Sequence, residues 1–174
     1  KVYDTIDDLA LTPRICVNIS NDGIASTLID YHMLKDWGVT KEDVMQQAKI
    51  SSPRLLPLRI TDVRNLFFGF SSGNIIDINS QKLSDVISEP VMYAITTNMV
   101  TSGASIFYDG VLDELSDIFG GFFFILPSSL CEVLVIPGDK ASSPEELAEM
   151  IKSVNSSNDI VKPEEVLANH AYVY

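Results

Sequence analysis

The sequence predicts an α+β fold with a mostly antiparallel sheet and helices packed on it. Three observations predict this class: short apolar or alternating segments typical of strands, amphipathic segments with N-caps typical of helices, and turn signals between neighbouring strands. Hydrophobic residues make up 46% of the 174 positions, which is ample material for a core. We expect one domain over residues 1–174, or two packed lobes at about 1–70 and 90–174.

The first elements are predicted to be a β-hairpin. Residues 15–20 alternate apolar with small or polar side chains, as a half-buried strand does. Asn21-Asp22-Gly23 then favours a tight turn, because Asn and Gly tolerate positive φ. Residues 24–29 are predicted to return as the second strand.

Two helices are predicted to follow the hairpin. Asp30 is a suitable N-cap for a short helix through Trp37, and Gly38 is a suitable C-cap. Thr40 begins the next helix, whose first turn carries acidic residues where the helix dipole favours them.

The rest of the chain is predicted to contain most of the sheet. Residues 61–70 predict a short helix, 71–80 a loop, and 82–87 one or two helical turns. The predicted strands are 91–97, 104–108, 122–126 and 131–136, with an edge strand at 172–174. Helices are predicted at 110–119, after the N-cap Ser143, and after Pro163. The nearly continuous apolar strands 122–126 and 131–136 indicate the centre of a sheet covered on both faces.

The charge balance argues against two classes of partner. Twelve basic and 24 acidic residues give a net charge of −12, which repels phosphate backbones and anionic membrane surfaces. The longest apolar stretch, Phe122 to Leu126, is far shorter than the roughly 20 residues of a membrane-spanning helix. We therefore expect neither nucleic acid nor membrane as a partner.

Cysteine usage predicts a reducing compartment. Cys16 and Cys131 lie in apolar segments without a CxxC spacing, so we expect two buried free thiols and a cytoplasmic protein. The first residue is Lys1 rather than Met, and we expect that the native start lies upstream.

Common catalytic and metal-binding motifs are missing from the sequence. It contains no Gly-rich phosphate loop, HExxH, GxSxG or EF-hand spacing, and its histidines are His32 and His170 alone. We expect no cofactor, no metal site and no catalytic residue.

Ser128, Ser129 and Glu132 are candidate binding residues. Glu132 interrupts an apolar strand, so its carboxylate either reaches solvent at a sheet face or is buried with a partner. In the buried case its pKa would rise. The two serines either bond their own turn or, as the less common alternative, supply a nucleophile.

Arg54 and Trp37 are the other two candidates. Pro53 and Pro57 bracket Arg54, which predicts a non-helical stretch and a guanidinium held in one direction. Arg54 then forms an internal salt bridge or recognises a carboxylate or phosphate of a ligand. Trp37 is either a packing anchor or a binding platform.

Several motifs together resemble a bacterial domain family of unknown function, common in anaerobic gram-positive gut bacteria. The resemblance covers about Cys16 to Tyr174. Its motifs are Trp37-Gly38-Val39-Thr40, Ser52-Pro53-Arg54-Leu55-Leu56-Pro57, Met92-Tyr93 through Asn98, Gly103-Ala104 through Tyr108, Ile125-Leu126-Pro127-Ser128-Ser129 and Leu167-Ala168-Asn169. The chain has Cys131 where the family usually has His, and its 71–89 region is shorter and less acidic. The resemblance implies a shared fold and supplies no activity.

Two hypotheses of function follow. The first is a non-catalytic protein-interaction or regulatory module that contacts an unidentified protein partner through a groove or sheet face. The alternative is a hydrolase or small-molecule-binding protein with a pocket near Arg54, Ser129 and Glu132. The sequence leaves the oligomeric state open.

Overall fold

A computed structural model of the chain describes residues 1–20, 23–67, 73–97, 102–127, 129–157 and 161–174. These residues form ten strands, five α-helices and three short 3-10 segments, and every strand pair is antiparallel. The predicted α+β class is confirmed. None of the described helices is long and apolar enough to cross a lipid bilayer.

The chain divides into two compact units, which are described separately. Unit 1 is Lys1–Leu56 and unit 2 is Pro57–Tyr174.

Unit 1 contains two hairpins and two helices. Strand β1 (Asp4–Ile6) pairs with β2 (Leu9–Leu11), and β3 (Arg14–Ser20) pairs with β4 (Gly23–Leu28). The second hairpin is the predicted one, although the turn residues Asn21 and Asp22 lie outside the described residues. The small core of unit 1 centres on Val2, Ile29 and Leu34.

Both predicted helices of unit 1 are confirmed at their N-termini. Helix α1 (Tyr31–Trp37) begins after Asp30, whose carboxylate accepts from the backbone N–H of His32 and Met33, and it ends at the left-handed Gly38. Helix α2 (Lys41–Leu55) begins after Thr40, which forms a capping box with Asp43.

The end of helix α2 differs from the prediction. The helix continues through Pro53 to Leu55, so the stretch around Arg54 is helical rather than extended. Pro53 lies in the last turn, where its ring removes one hydrogen bond only. The following N–H of Leu56 still donates to the carbonyl of Ser52 at 2.8 Å.

Unit 2 is built on a six-stranded sheet in the order β10-β8-β9-β7-β5-β6. Its strands are β5 (Leu58–Asp62), β6 (Asn74–Ile76), β7 (Tyr93–Thr97), β8 (Phe123–Leu126), β9 (Val133–Pro137) and β10 (Tyr172–Val173). Its helices are α3 (Val63–Phe67), α4 (Val111–Phe119) and α5 (Pro144–Asn155), and its 3-10 segments are Leu83–Asp85, Gly103–Phe107 and Pro163–Glu165.

The central strands of this sheet are covered on both faces, as predicted. Along β8, Phe123 and Ile125 belong to the core cluster that includes helix α4, whereas Phe124 and Leu126 pack in the cluster that includes helix α5. This alternation follows from the two-residue period of a strand. Unit 2 is therefore a three-layer arrangement with the sheet in the middle.

Two predicted elements of unit 2 are wrong. Residues 104–108 were expected as a strand, but Gly103–Phe107 is a 3-10 segment in which the Ser105 hydroxyl donates to the carbonyls of Thr96 and Ser102. The predicted loop 71–80 contains strand β6, which pairs with β5. The predicted helix 61–70 begins later than expected, at Val63, because Thr61 and Asp62 belong to strand β5. Residues 68–72 lie outside the described residues, so the end of this predicted helix does too.

Candidate functional site

The loop between β8 and β9 carries three of the predicted site residues. Ser128 lies outside the described residues. Ser129 is only 6% exposed, and its hydroxyl oxygen accepts from the N–H of Cys131 at 3.2 Å and of Glu132 at 3.4 Å. The side chain of Ser129 therefore closes the turn by bonding its own backbone. A hydroxyl oxygen engaged in this way is poorly placed to attack a substrate.

The loop is held from the side by the Gly103 segment. The N–H of Gly103 donates to the carbonyl of Leu130 at 2.9 Å, and the Thr96 hydroxyl donates to the carbonyl of Cys131 at 2.7 Å. A Cβ atom at Gly103 would lie 3.0 Å from a methyl group of Val133. A side chain at this position would have to displace its neighbours by a few tenths of an ångström, so glycine favours the close approach of the two segments.

The acidic residue of this loop, Glu132, has a perturbed pKa. It immediately precedes β9 and is half-buried, and burial raises the pKa of its carboxyl group. Its side chain forms no hydrogen bond or ion pair with any residue that the structure describes. Such a carboxyl group can hold a proton at a higher pH than an exposed glutamate.

The two cysteines are less buried than predicted. Cys16 in β3 and Cys131 in the loop are both free and half-buried. Within the described ranges, no group of three or more His, Cys, Asp or Glu side chains could hold a metal ion.

The remaining predicted site residues, Arg54 and Trp37, belong to unit 1. Arg54 is exposed in the last turn of α2 and forms no ion pair among the described residues, so the expected internal salt bridge is not present there. Trp37 is the last residue of α1 and is 49% exposed. Ser129 and Glu132 lie in unit 2, so the predicted pocket with Arg54 remains a prediction.

A cleft of about 400 Å³ in unit 1 was not predicted. It is lined by strand β1 together with its preceding residue Tyr3, by Tyr31 at the start of α1, and by Lys41 and Lys49 of α2. Tyr3 is 46% exposed and Tyr31 is 56% exposed. The cleft therefore combines aromatic and cationic side chains on a concave surface, as binding sites commonly do.

The two lysines of this cleft differ in their ion pairs. The Nζ atom of Lys41 lies 2.6 Å from a carboxylate oxygen of Asp4, and this hydrogen bond raises the pKa of Lys41. Lys49 is exposed and forms no ion pair with a described residue. Lys49 is thus a positive charge in the cleft that no described carboxylate pairs with.

The acidic charge is concentrated outside unit 1. Residues 1–56 contain six basic and eight acidic residues, whereas residues 57–174 contain six basic and sixteen acidic ones. Unit 1, taken by itself, is therefore nearly neutral.

A sequence signal for β1 and β2 exists but is faint. Thr5-Ile6 and Leu9-Ala10-Leu11 flank Asp7-Asp8, and two such segments around a two-residue turn can form a hairpin. Asp7 has the positive φ of 53° that tight hairpin turns use. The helix residues of the cleft carry no comparable signal, because their proximity to β1 depends on tertiary structure.

Comparisons with known proteins give one match. No curated protein and no solved structure is significantly similar to the chain. One family model matches residues 1–174, which confirms the resemblance to a domain family without an assigned activity. The chain belongs to this family of unknown function (DUF5688).

Proposed function

We propose that the protein is a non-catalytic protein-interaction module and that the cleft of unit 1 is its binding surface. The observation that carries the proposal is the joint exposure of Tyr3, Tyr31 and Lys49 around one concave surface. Tyrosine offers a large contact area with a polar tip at a low cost in side-chain entropy, and it is enriched where proteins bind one another.

The distribution of exposed apolar residues supports the same unit. Among the residues whose burial the structure describes, seven of the thirteen exposed large hydrophobic ones lie within the first 56 positions: Tyr3, Val17, Tyr31, Trp37, Val39, Ile50 and Leu55. Of the two predicted roles of Trp37, packing anchor and binding platform, the proposal takes the second. Three of the seven residues are Tyr or Trp, which are the residue types enriched at the centres of protein interfaces.

Selection from a random heptapeptide library displayed on phage, with the full chain as bait, tests the proposal. We expect enriched peptides whose affinity falls at least about fivefold in Tyr31→Ala, which removes a cleft aromatic residue. The control is Leu130→Ala, which truncates an exposed apolar residue of unit 2. Failure to enrich any peptide, or equal binding to both variants, would overturn the proposal.

The alternative of a hydrolase keeps one specific observation in its favour. Glu132 combines partial burial with a raised pKa, which is typical of acid–base residues. A screen of ester, amide and phosphoester model substrates would test it with the wild-type chain and Glu132→Gln. Turnover that is lost in Glu132→Gln, with the fold intact, would favour this alternative over the interaction module.

A further inference from the structure

We infer that the partner contributes an extended segment, which adds to the free edge of β1 as a third strand and places a carboxylate beside Lys49. This inference rests on the proposed function and specifies its partner. Strand addition is a recurrent way for a protein to bind a peptide, because the main chain supplies the hydrogen bonds and side-chain contacts supply specificity.

The register of the first hairpin leaves the backbone N–H and C=O of one β1 residue available. Ile6 pairs with Leu9 across a two-residue turn, so these two residues form a hydrogen-bonded pair, and Thr5 with Ala10 forms a non-hydrogen-bonded one. The N–H and C=O of Thr5 consequently point away from β2.

Those two groups are free to meet a partner. The sheet of β1 and β2 has two strands only in the described part of the chain, and no described residue outside it bonds to the backbone of Thr5. Thr5 is exposed and lines the cleft. A free strand edge on a concave, partly aromatic surface is a template for another strand.

The charged residues of the cleft indicate which charge the partner segment carries. Lys41 is already paired with Asp4, so a positively charged segment would have to compete for Asp4, whereas Lys49 has no partner among the described residues. A carboxylate on the added segment would pair with Lys49. The inferred partner is therefore an extended peptide with at least one acidic side chain.

A pair of proline substitutions tests the strand addition. Thr5→Pro removes the outward N–H of β1, and Ala10→Pro removes the equivalent outward N–H of β2 without touching the β1 edge. The probe is the most enriched heptapeptide of the phage selection, synthesised with capped ends. We expect Thr5→Pro to weaken its binding about five- to tenfold, which corresponds to one lost hydrogen bond, and Ala10→Pro to leave it unchanged.

Amide hydrogen exchange keeps the inference testable if Thr5→Pro fails to fold. In the wild-type chain, the Thr5 amide should exchange at least about tenfold more slowly when the heptapeptide is bound, because it becomes hydrogen-bonded. An unchanged exchange rate at Thr5 in a saturated complex would overturn the inference.

The carboxylate is tested by a double-mutant cycle. We expect replacement of the acidic residue of the heptapeptide by its amide to weaken binding to the wild type about three- to fivefold at low salt, and not to weaken binding to Lys49→Gln. The control Lys35→Gln alters an exposed lysine outside the cleft and should retain the difference. Enrichment of peptides without any acidic residue would contradict the inferred chemistry.

The two proposals fail in different ways. If Tyr31→Ala weakens binding but Thr5→Pro and the hydrogen exchange of Thr5 show no effect, the cleft binds a partner and the strand addition is wrong. If no peptide is enriched, the interaction module itself is overturned.

Discussion

Single residues of the β8–β9 loop account for its shape. Ser129 provides the acceptor for two neighbouring backbone N–H groups in a partly buried turn. We predict that Ser129→Ala lowers the free energy of unfolding by about 1–2 kcal/mol, because both amides lose their partner. Urea unfolding of the variant measures this loss. The exposed Ser142→Ala serves as control, and an equally small effect of both substitutions would contradict the structural role of Ser129.

The raised pKa of Glu132 predicts how the stability of the fold depends on pH. Its pKa is raised above the ordinary value of 4.5 by burial, so the folded chain binds this proton more tightly than the unfolded chain does. The stabilisation from the bound proton is complete below pH 4.5 and is lost as the pH rises through the raised pKa.

The substitution Glu132→Gln removes that dependence, since the amide has no charge to desolvate. We predict that the variant gains stability relative to the wild type at about pH 7 and gains less at about pH 4, as measured by urea unfolding. The exposed Glu164→Gln should show no such difference between the two pH values. A larger gain in stability at about pH 4 than at about pH 7 would show that the pKa of Glu132 is not raised by folding.

The sequence indicated some of these residues and missed others for a physical reason. Glu132 is conspicuous in an apolar segment, and Ser129 is its neighbour along the chain, so local inspection finds both. Lys49 and Tyr31 are ordinary exposed residues of helices in the sequence. They become part of a cleft only because β1 lies beside them, and this proximity is not encoded in any local pattern.

At the scale of elements, helix ends were the most predictable feature. Asp30, Gly38, Thr40 and Ser143 act through bonds to residues within four positions, so their chemistry is visible in a short stretch of sequence.

Gly38 allows this local chemistry to be tested. Its φ of 68° lies in the left-handed region, and no atom would lie within 4 Å of an added Cβ. We predict that Gly38→Ala costs about 1 kcal/mol through backbone strain alone, and that Gly38→Asn costs less because Asn tolerates this conformation. Thermal unfolding of both variants checks the order. Equal stability of the two variants would argue against backbone strain as the cause.

Elements that depend on distant partners were harder to predict. Strand β6 has three residues in a segment rich in Ser, Gly and Asn, and its pairing with β5 outweighs that loop-like composition. Residues 104–108 look like a strand, but the hydroxyl of Ser105 bonds the carbonyl of Thr96 and fixes a 3-10 segment instead. Pro53 was expected to exclude a helix, yet its ring is buried near the end of α2.

At the scale of the whole molecule, charge is the dominant property. The net charge of −12 arises mainly in residues 57–174, where acidic residues outnumber basic ones sixteen to six. Mutual repulsion of like charges disfavours the compact state, and salt screens it.

We predict that raising NaCl from about 20 to about 300 mM increases the melting temperature of the full chain. A stabilisation of about 1 kcal/mol corresponds to about 3 °C for a protein of this length. Differential scanning calorimetry measures the shift. The shift measured at about pH 7 should become smaller at about pH 4.5, where many carboxylates are protonated. An equal shift in melting temperature at these two pH values would show that charge screening is not its cause.

The order of strands in unit 2 has a consequence for synthesis on the ribosome. Strand β8 is covered on one side by β9 and on the other by β10, and Phe123 exchanges two backbone hydrogen bonds with Tyr174. After β9 has been synthesised and before residues 172–174 have been, the edge of β8 that later pairs with β10 is unpaired in the nascent chain. An apolar strand with an unpaired edge can form hydrogen bonds with a neighbouring polypeptide. Rapid synthesis of residues 138–174, or a chaperone bound to β8, would protect the growing chain during this interval.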